Sequence, residues 1–185
     1  MKKVLPWLAT SILVVITVYE LHRQGRLWVC SCNMVRLWSG DIWSSENSQQ
    51  FLDPYSFTHV LHGFIFSGLL AWIVPRLSVP WRLWLAESFE ALWEVLENTN
   101  YIIDRYRGVT AAIGYHGDTI VNSLGDIACF GLGFILARHL GLRRSITVFL
   151  IIEAVLLVWI KDSLLLNVIM LIHPIEAIKT WQLGR

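Results

Sequence analysis

Four glutamates, Glu87, Glu90, Glu94 and Glu97, recur at helical spacing along one segment, and Asn98 follows them directly. At about 100° per residue, all five project within a stripe roughly 100° wide. Leu85, Leu92, Trp93 and Leu96 are among the apolar residues elsewhere on that helix. His59 and His62 stand one turn apart and share a face of another helix. Asp118, Asn122 and Asp126 recur every four residues along a third. Gly125 lies on their face, where a missing side chain lets a backbone or a ligand come close. Carboxylates beside imidazoles can move protons or hold a divalent cation.

On these residue types, Glu94, Glu97, Asp118, Asp126 and Asn122 are the candidate catalytic groups, and His59 and His62 the candidate metal ligands. Oxygen and imidazole donors without thiolates suit Zn, Mn or Fe, so a divalent metal is the cofactor this set would take. Arg105, Arg107 and Asn98 are the candidate substrate contacts, since paired guanidinium groups hold an anion well. Each group also has a plainer reading. The histidines could be a hydrogen-bonded interior pair, the arginines interface anchors, and the stripe the wet face of a helix lying on a membrane. Glu153, inside a later apolar segment, reads as a partner for an arginine or histidine. No Walker A loop, His-Glu-x-x-His or Gly-x-Ser-x-Gly is present, which leaves serine-nucleophile hydrolysis poorly supported.

The segments that carry these groups are strongly apolar. The 185-residue chain is 55% hydrophobic and only 16% charged, against roughly 25% charged in a typical soluble domain. Its net charge of +1 gives no general attraction to nucleic acid. Most of the ten tryptophans lie at or near the ends of apolar runs, as in membrane-interface belts. The pattern predicts an all-α, polytopic transmembrane bundle forming one domain over residues 1–185. Spans are expected at about residues 4–21, 55–74, 81–103, 118–139 and 146–172, the last broken near Lys161-Asp162. That makes five crossings, or six if the break separates two.

Asp53-Pro54 reads as a helix start and Pro75 as a stop. Lys2-Lys3 before an uncleaved apolar segment reads as a signal anchor, and loop charges weakly favour a cytoplasmic N-terminus. Alternating span directions then bring His59, His62, Glu94, Glu97, Arg105, Arg107, Asp118 and Asp162 to the outer side. Cys30-x-Cys32 would lie there too, where free thiols do not persist. An ionised residue at the centre of a span costs about 2.5–3.5 kcal/mol, so the glutamate stripe must face other helices, water or cations.

The motifs form a recognisable series. It begins with Cys30-x-Cys32, Leu37-Trp38-x-Gly40, Ser45-Glu46-Asn47-Ser48-Gln49 and His59-x-x-His62-Gly63. It continues with Glu90-x-x-Trp93-Glu94-x-x-Glu97-Asn98, Arg105-Tyr106-Arg107, Gly117-Asp118, Asn122-Ser123, Asp126, Asp162, Asn167 and Lys179-x-Trp181-Gln182. As a set these resemble an uncharacterised family of small bacterial inner-membrane proteins, a domain-of-unknown-function family. That resemblance implies a multi-pass location in the cell inner membrane and no particular chemistry. The order His, Glu, Arg, Asp, Asn is also similar, at the level of fold analogy, to VanZ-like membrane proteins.

The leading expectation is a membrane-embedded, metal-assisted enzyme acting at its outer face on a lipid-linked or phosphorylated substrate. The alternative is a non-catalytic membrane protein that binds a lipid, a peptide or a partner protein. A coupled carrier fits less well, because no repeat is visible and the inner half is mostly apolar.

Overall fold

A computed structural model describes residues 4–112 and 114–184; Lys2, Lys3 and Arg185 lie outside them. Among the described residues there are eight helices and no strand. The first, α1, is Leu5–Arg23, followed by α2 at Ser56–Ile73 and α3 at Val79–Glu97. Next come α4 at Asn100–Val109, α5 at Ile120–Leu140 and α6 at Leu142–Ile160. The chain ends in α7 at Leu164–Ile172 and α8 at Glu176–Gln182.

Local chemistry sets most of these boundaries. The Asp53 carboxylate accepts from the backbone N–H groups of Tyr55 at 2.7 Å and Ser56 at 3.3 Å, which caps the entry to α2. Thr99, Thr119 and Ser163 cap α4, α5 and α7 through their hydroxyls. Gly141, at φ +74°, turns the chain from α5 into α6. Lys161 takes a left-handed conformation at φ 55°, and α6 and α7 meet there at a bend of 73°. Glu153 reaches across that bend to accept from the N–H groups of Leu164 and Leu165. It therefore caps α7 and, among the described residues, does not pair with an arginine or histidine.

Two expected boundaries need correction. The segment Trp81–Ile103 is not one helix: α3 stops at Glu97, and α4 occupies the start of the expected 104–117 loop. The fourth expected span starts at Ile120, which leaves Asp118 in the preceding loop. Three helices, α1, α2 and α5, are long and apolar enough to cross a membrane, and the bent pair α6–α7 makes up to four.

The tightest packing joins α2 to α5. A Cβ on Gly63 would meet the Phe130 carbonyl at 2.2 Å, and one on Gly133 would meet the Val60 carbonyl at 2.1 Å. The two backbones touch along this seam because neither glycine has a side chain to hold them apart. The long 24–55 loop is no loose linker. Thr119, Ile120 and Val121 donate their N–H groups to the carbonyls of Ser48, Leu27 and Trp28. Gly125 lies against the Phe51 carbonyl, where a Cβ would come within 1.9 Å. Cys30 and Cys32 are joined by a disulfide within this loop. At the other end of the bundle, Leu70, Leu83, Ala86, Phe130 and Phe134 form a buried apolar core.

Candidate functional site

The α2–α5 seam fixes the first groups. His59 and His62 precede Gly63 on α2, and Asp126 follows Gly125 on α5. Ser56 donates its hydroxyl to Asp126 Oδ1 at 2.8 Å, which anchors that carboxylate to the start of α2. Asp126 Oδ2 stands 3.9 Å from His59 Nε2.

Across from the seam, α3 divides its acidic stripe among different partners. Glu87 accepts from the Thr10 hydroxyl of α1 at 2.9 Å. Glu90 reaches both histidines, through a short contact to His59 Nδ1 and one of 3.1 Å to His62 Nδ1. Glu94 Oε1 lies 3.4 Å from His59 Nδ1. Its carboxylate is 0% exposed, and neither oxygen has a hydrogen-bond partner. An unpartnered buried carboxylate is costly, so its neighbours or a bound group must supply the missing interaction. His59, His62 and Glu90 each offer a ligand atom within 4.8 Å of the others, and so do His59, Glu94 and Asp126. The donor set of imidazole and carboxylate, with orphaned Glu94 oxygens beside it, fits a divalent ion.

His59, His62, Glu90 and Asp126 border a cavity of about 370 Å³, and Glu94 lies behind them, outside its lining. Its polar end gathers Asp53, Glu90, Glu97, Asp118, Asp126 and Asp162, with Tyr55, Tyr106 and Tyr115 among them. Its other wall is apolar, including Phe66, Phe89, Leu92, Leu96 and Leu171. The described residues that line it include no lysine or arginine. Ser48, also in the lining, is buried with φ 61°. The Asp53 carboxylate holds its N–H at 2.9 Å and so helps retain that unfavourable backbone.

Burial raises the carboxyl groups of the loops around the cavity. Asp118 is pushed up to about 6, chiefly by desolvation, although the Asn98 amide and the Tyr115 hydroxyl both donate to it. Desolvation raises Asp53 as well. Burial, and next the Glu97 carboxylate, hold the Tyr106 phenol well above its ordinary value. A ring of buried acids and phenols is suited to keeping and passing protons.

The candidate residues separate into three groups. His59, Glu94 and Asp126 meet at one point, His62 joins His59 through Glu90, and Glu97 and Asp118 line the adjoining cavity. Asn98 and Asn122 are buried but serve as ties: Asn98 Nδ2 donates to Asp118 at 2.8 Å, and Asn122 Nδ2 donates to the Gln50 carbonyl at 2.8 Å. Arg105 and Arg107 lie elsewhere. Arg105 donates to the Leu171 carbonyl at 2.9 and 3.1 Å, and Arg107 pairs with Asp104 and His116. Neither is in the lining of the cavity. The candidate set lacks Glu90, although it holds both histidines, and Tyr55, Asp162 and Asn167, which arrive from the helix ends. Tyr55 donates to Asp162 at 3.3 Å and Asn167 to the same carboxylate at 3.4 Å.

A family model described as "Protein of unknown function (DUF2585)" matches residues 21–184. A UPF0314 protein of Paracoccus denitrificans is 42% identical over 96% of this chain and 92% of its own length. One from Sphingopyxis alaskensis is 44% identical over 96% of this chain and 95% of its own. Another, from Novosphingobium aromaticivorans, is 45% identical over 90% and 87%. No solved structure matches. These matches do not extend to VanZ-like proteins, and that likeness supports no part of the functional reading. Agreement at this level over nearly the full length shows that the chain belongs to the DUF2585 family.

Proposed function

We propose that this protein is a multi-pass inner-membrane enzyme that binds a divalent metal at its buried histidine–carboxylate cluster and acts on a lipid-linked substrate. The carrying observation is Glu94, fully buried beside His59 with both oxygens unpartnered. His59, His62 and Glu90 would hold the ion, which supplies Lewis acidity at the polar end of the cavity. Glu94, behind the lining and against His59, is the carboxylate left to exchange a proton through that imidazole. Asp126, steadied by Ser56, holds His59 from the other side. Tyr106 and Tyr115, neutral and aimed among the acids, donate hydrogen bonds. Arg105 and Arg107 stand outside the lining of the cavity, which weakens the support for a phosphate-holding role.

The expected membrane arrangement has α1, α2, α3, α5 and the bent α6–α7 pair as five crossings. It counts α3 because Glu87, Glu90 and Glu94 all turn toward other helices. Arg76, Arg82, Arg138, Arg143 and Arg144 cluster at the far end, which supports a cytoplasmic location for that end. The cavity and the Cys30–Cys32 disulfide then belong outside, in an oxidising compartment.

Metal analysis of the detergent-purified, full-length protein tests the site. Stoichiometric Zn, Mn or Fe is expected, falling sharply in His62→Ala. Metal-free protein whose melting temperature ignores added Zn, Mn and Fe would sink the proposal. Orientation is tested by labelling a cysteine at Ser45, which is exposed where Ser48 is buried. Labelling only after the inner membrane is permeabilised would reverse the assignment.

A further inference from the structure

We infer that the ligand of this cavity is an amphiphile whose polar end is an amine, entering sideways between α3 and α7. This deepens the ligand-site reading above and is separable from its metal.

The missing partners at the cavity are donors. Asn47 Oδ1 and Asn167 Oδ1 are buried and unpaired in its lining, and the unpaired Glu94 oxygens lie behind that lining against His59. The Asn167 amide is oriented by its own Nδ2, which donates to Asp162 Oδ2, so its free atom is the carbonyl oxygen. Burying acceptors without donors is unfavourable, and an ammonium supplies three N–H groups together with positive charge. The charge of the lining agrees. Six carboxyl groups border the cavity with no lysine or arginine. An incoming phosphate would meet these acids with no lysine or arginine among the described lining residues to pair with. An ammonium meets the opposite field, and the rings of Trp93, Tyr106 and Tyr115 in the lining offer it aromatic faces.

The remaining wall identifies the other half of the ligand. Phe89, Leu92 and Leu96 on α3 and Val168 on α7 line the cavity and are also exposed on the outside of the bundle. The cavity therefore reaches the surface through an apolar side opening. Arg105 ties α7 to α4 through the Leu171 carbonyl, so α7 stands beside α3 as the far edge of that opening. A free polyamine would make no use of this wall, whereas an acyl or alkyl chain lying in the bilayer would fill it.

The test uses full-length protein in neutral-lipid nanodiscs, with empty discs as the control for partitioning. Dodecylamine, dodecyl phosphate, dodecanol and butylamine are compared by thermal shift, and the metal content of the same preparation is measured. Dodecylamine is expected to bind at least about tenfold more tightly than dodecyl phosphate, the scale of one charge-assisted hydrogen bond. Asn167→Leu should weaken the amine about fivefold to tenfold on the same basis and leave dodecanol unchanged. That variant's retention on size exclusion shows whether it is folded, and Glu97→Gln provides a second, isosteric variant with the same expected direction. Phosphate binding as well as the amine, no binding of either, or butylamine matching dodecylamine would overturn the inference. A metal-loaded protein that prefers phosphate defeats the amine and leaves the metal standing. An amine-selective protein without metal does the reverse.

Discussion

Two cavities of nearly equal size lie at opposite ends of the same three helices. One, of about 370 Å³, borders the histidine–carboxylate cluster. The other, of about 390 Å³, lies among the later turns of α2 and α5 and the start of α3, and is lined by Ser67, Trp72, Arg82 and Arg138. The first has six carboxyl groups and no basic side chain but its histidines; the second has two arginines and no carboxyl group. Their unpaired buried atoms differ in the same sense. Asn47 and Asn167 lack donors in the first lining, and Arg82 Nε lacks an acceptor in the second. Size therefore says little about what either cavity holds. What separates them is which kind of buried group lacks a partner.

The sharpest way to break this contrast is Glu90→Leu. It leaves buried His59 and half-buried His62 without their shared acceptor, and a loss of about 3–5 kcal/mol is expected, together with loss of metal. Chemical unfolding in detergent reads it, and a variant as stable as the parent would erase the difference between the ends. Next comes pH. The Asp118 carboxyl is raised from 3.8 to about 6, so its protonated form is the one the fold favours. Its contribution is complete below pH 3.8 and disappears as pH rises through about 6, an effect of up to about 3 kcal/mol. Asp118→Asn should flatten the stability profile across that window, and an unchanged slope would exclude Asp118 as its source.

Gly133→Ala should cost about 1–3 kcal/mol by forcing a methyl into the Val60 carbonyl. Gly68→Ala, on the same helix as His62 but facing open space, should add about 0.5–1 kcal/mol instead. Equal melting temperatures for the two would mean the seam is looser than its geometry. The smallest effect belongs to Arg82→Leu at the basic cavity. A change under about 1 kcal/mol with unaltered metal content is expected, and loss of metal there would couple the two ends.

The faces of individual helices are legible in the sequence, because helical spacing alone puts the glutamates on one stripe and the histidines on one face. The start of α2 is legible too, through Asp53-Pro54. Which glutamate meets which histidine is not, because that depends on how far α3 slides along α2, and nothing local to either helix sets the offset. Glu90 is therefore indistinguishable from its neighbours in the sequence. Arg105 and Arg107 are misplaced by the pattern for a related reason: a ten-residue helix hides in a stretch that Gly108 and Gly114 make look like loop. Asp162 and Asn167 reach the cavity only through the 73° bend. Lys161-Asp162 marks that break in the sequence but not its angle.

The glycine seam also determines which parts of the molecule can move. Packed helices usually slide by exchanging side-chain rotamers, and where two backbones touch there is no such layer to exchange. Around Gly63 and Gly133, α2 and α5 therefore behave as one stave, which carries His59, His62 and Asp126 rigidly together. Any breathing of the cavity falls to α3, which ends at the short break Asn98-Thr99, and α7, which begins after the one at Lys161–Ser163. In hydrogen exchange, the seam amides should open only with the whole protein, while those of α7 should exchange through a local, lower-energy opening.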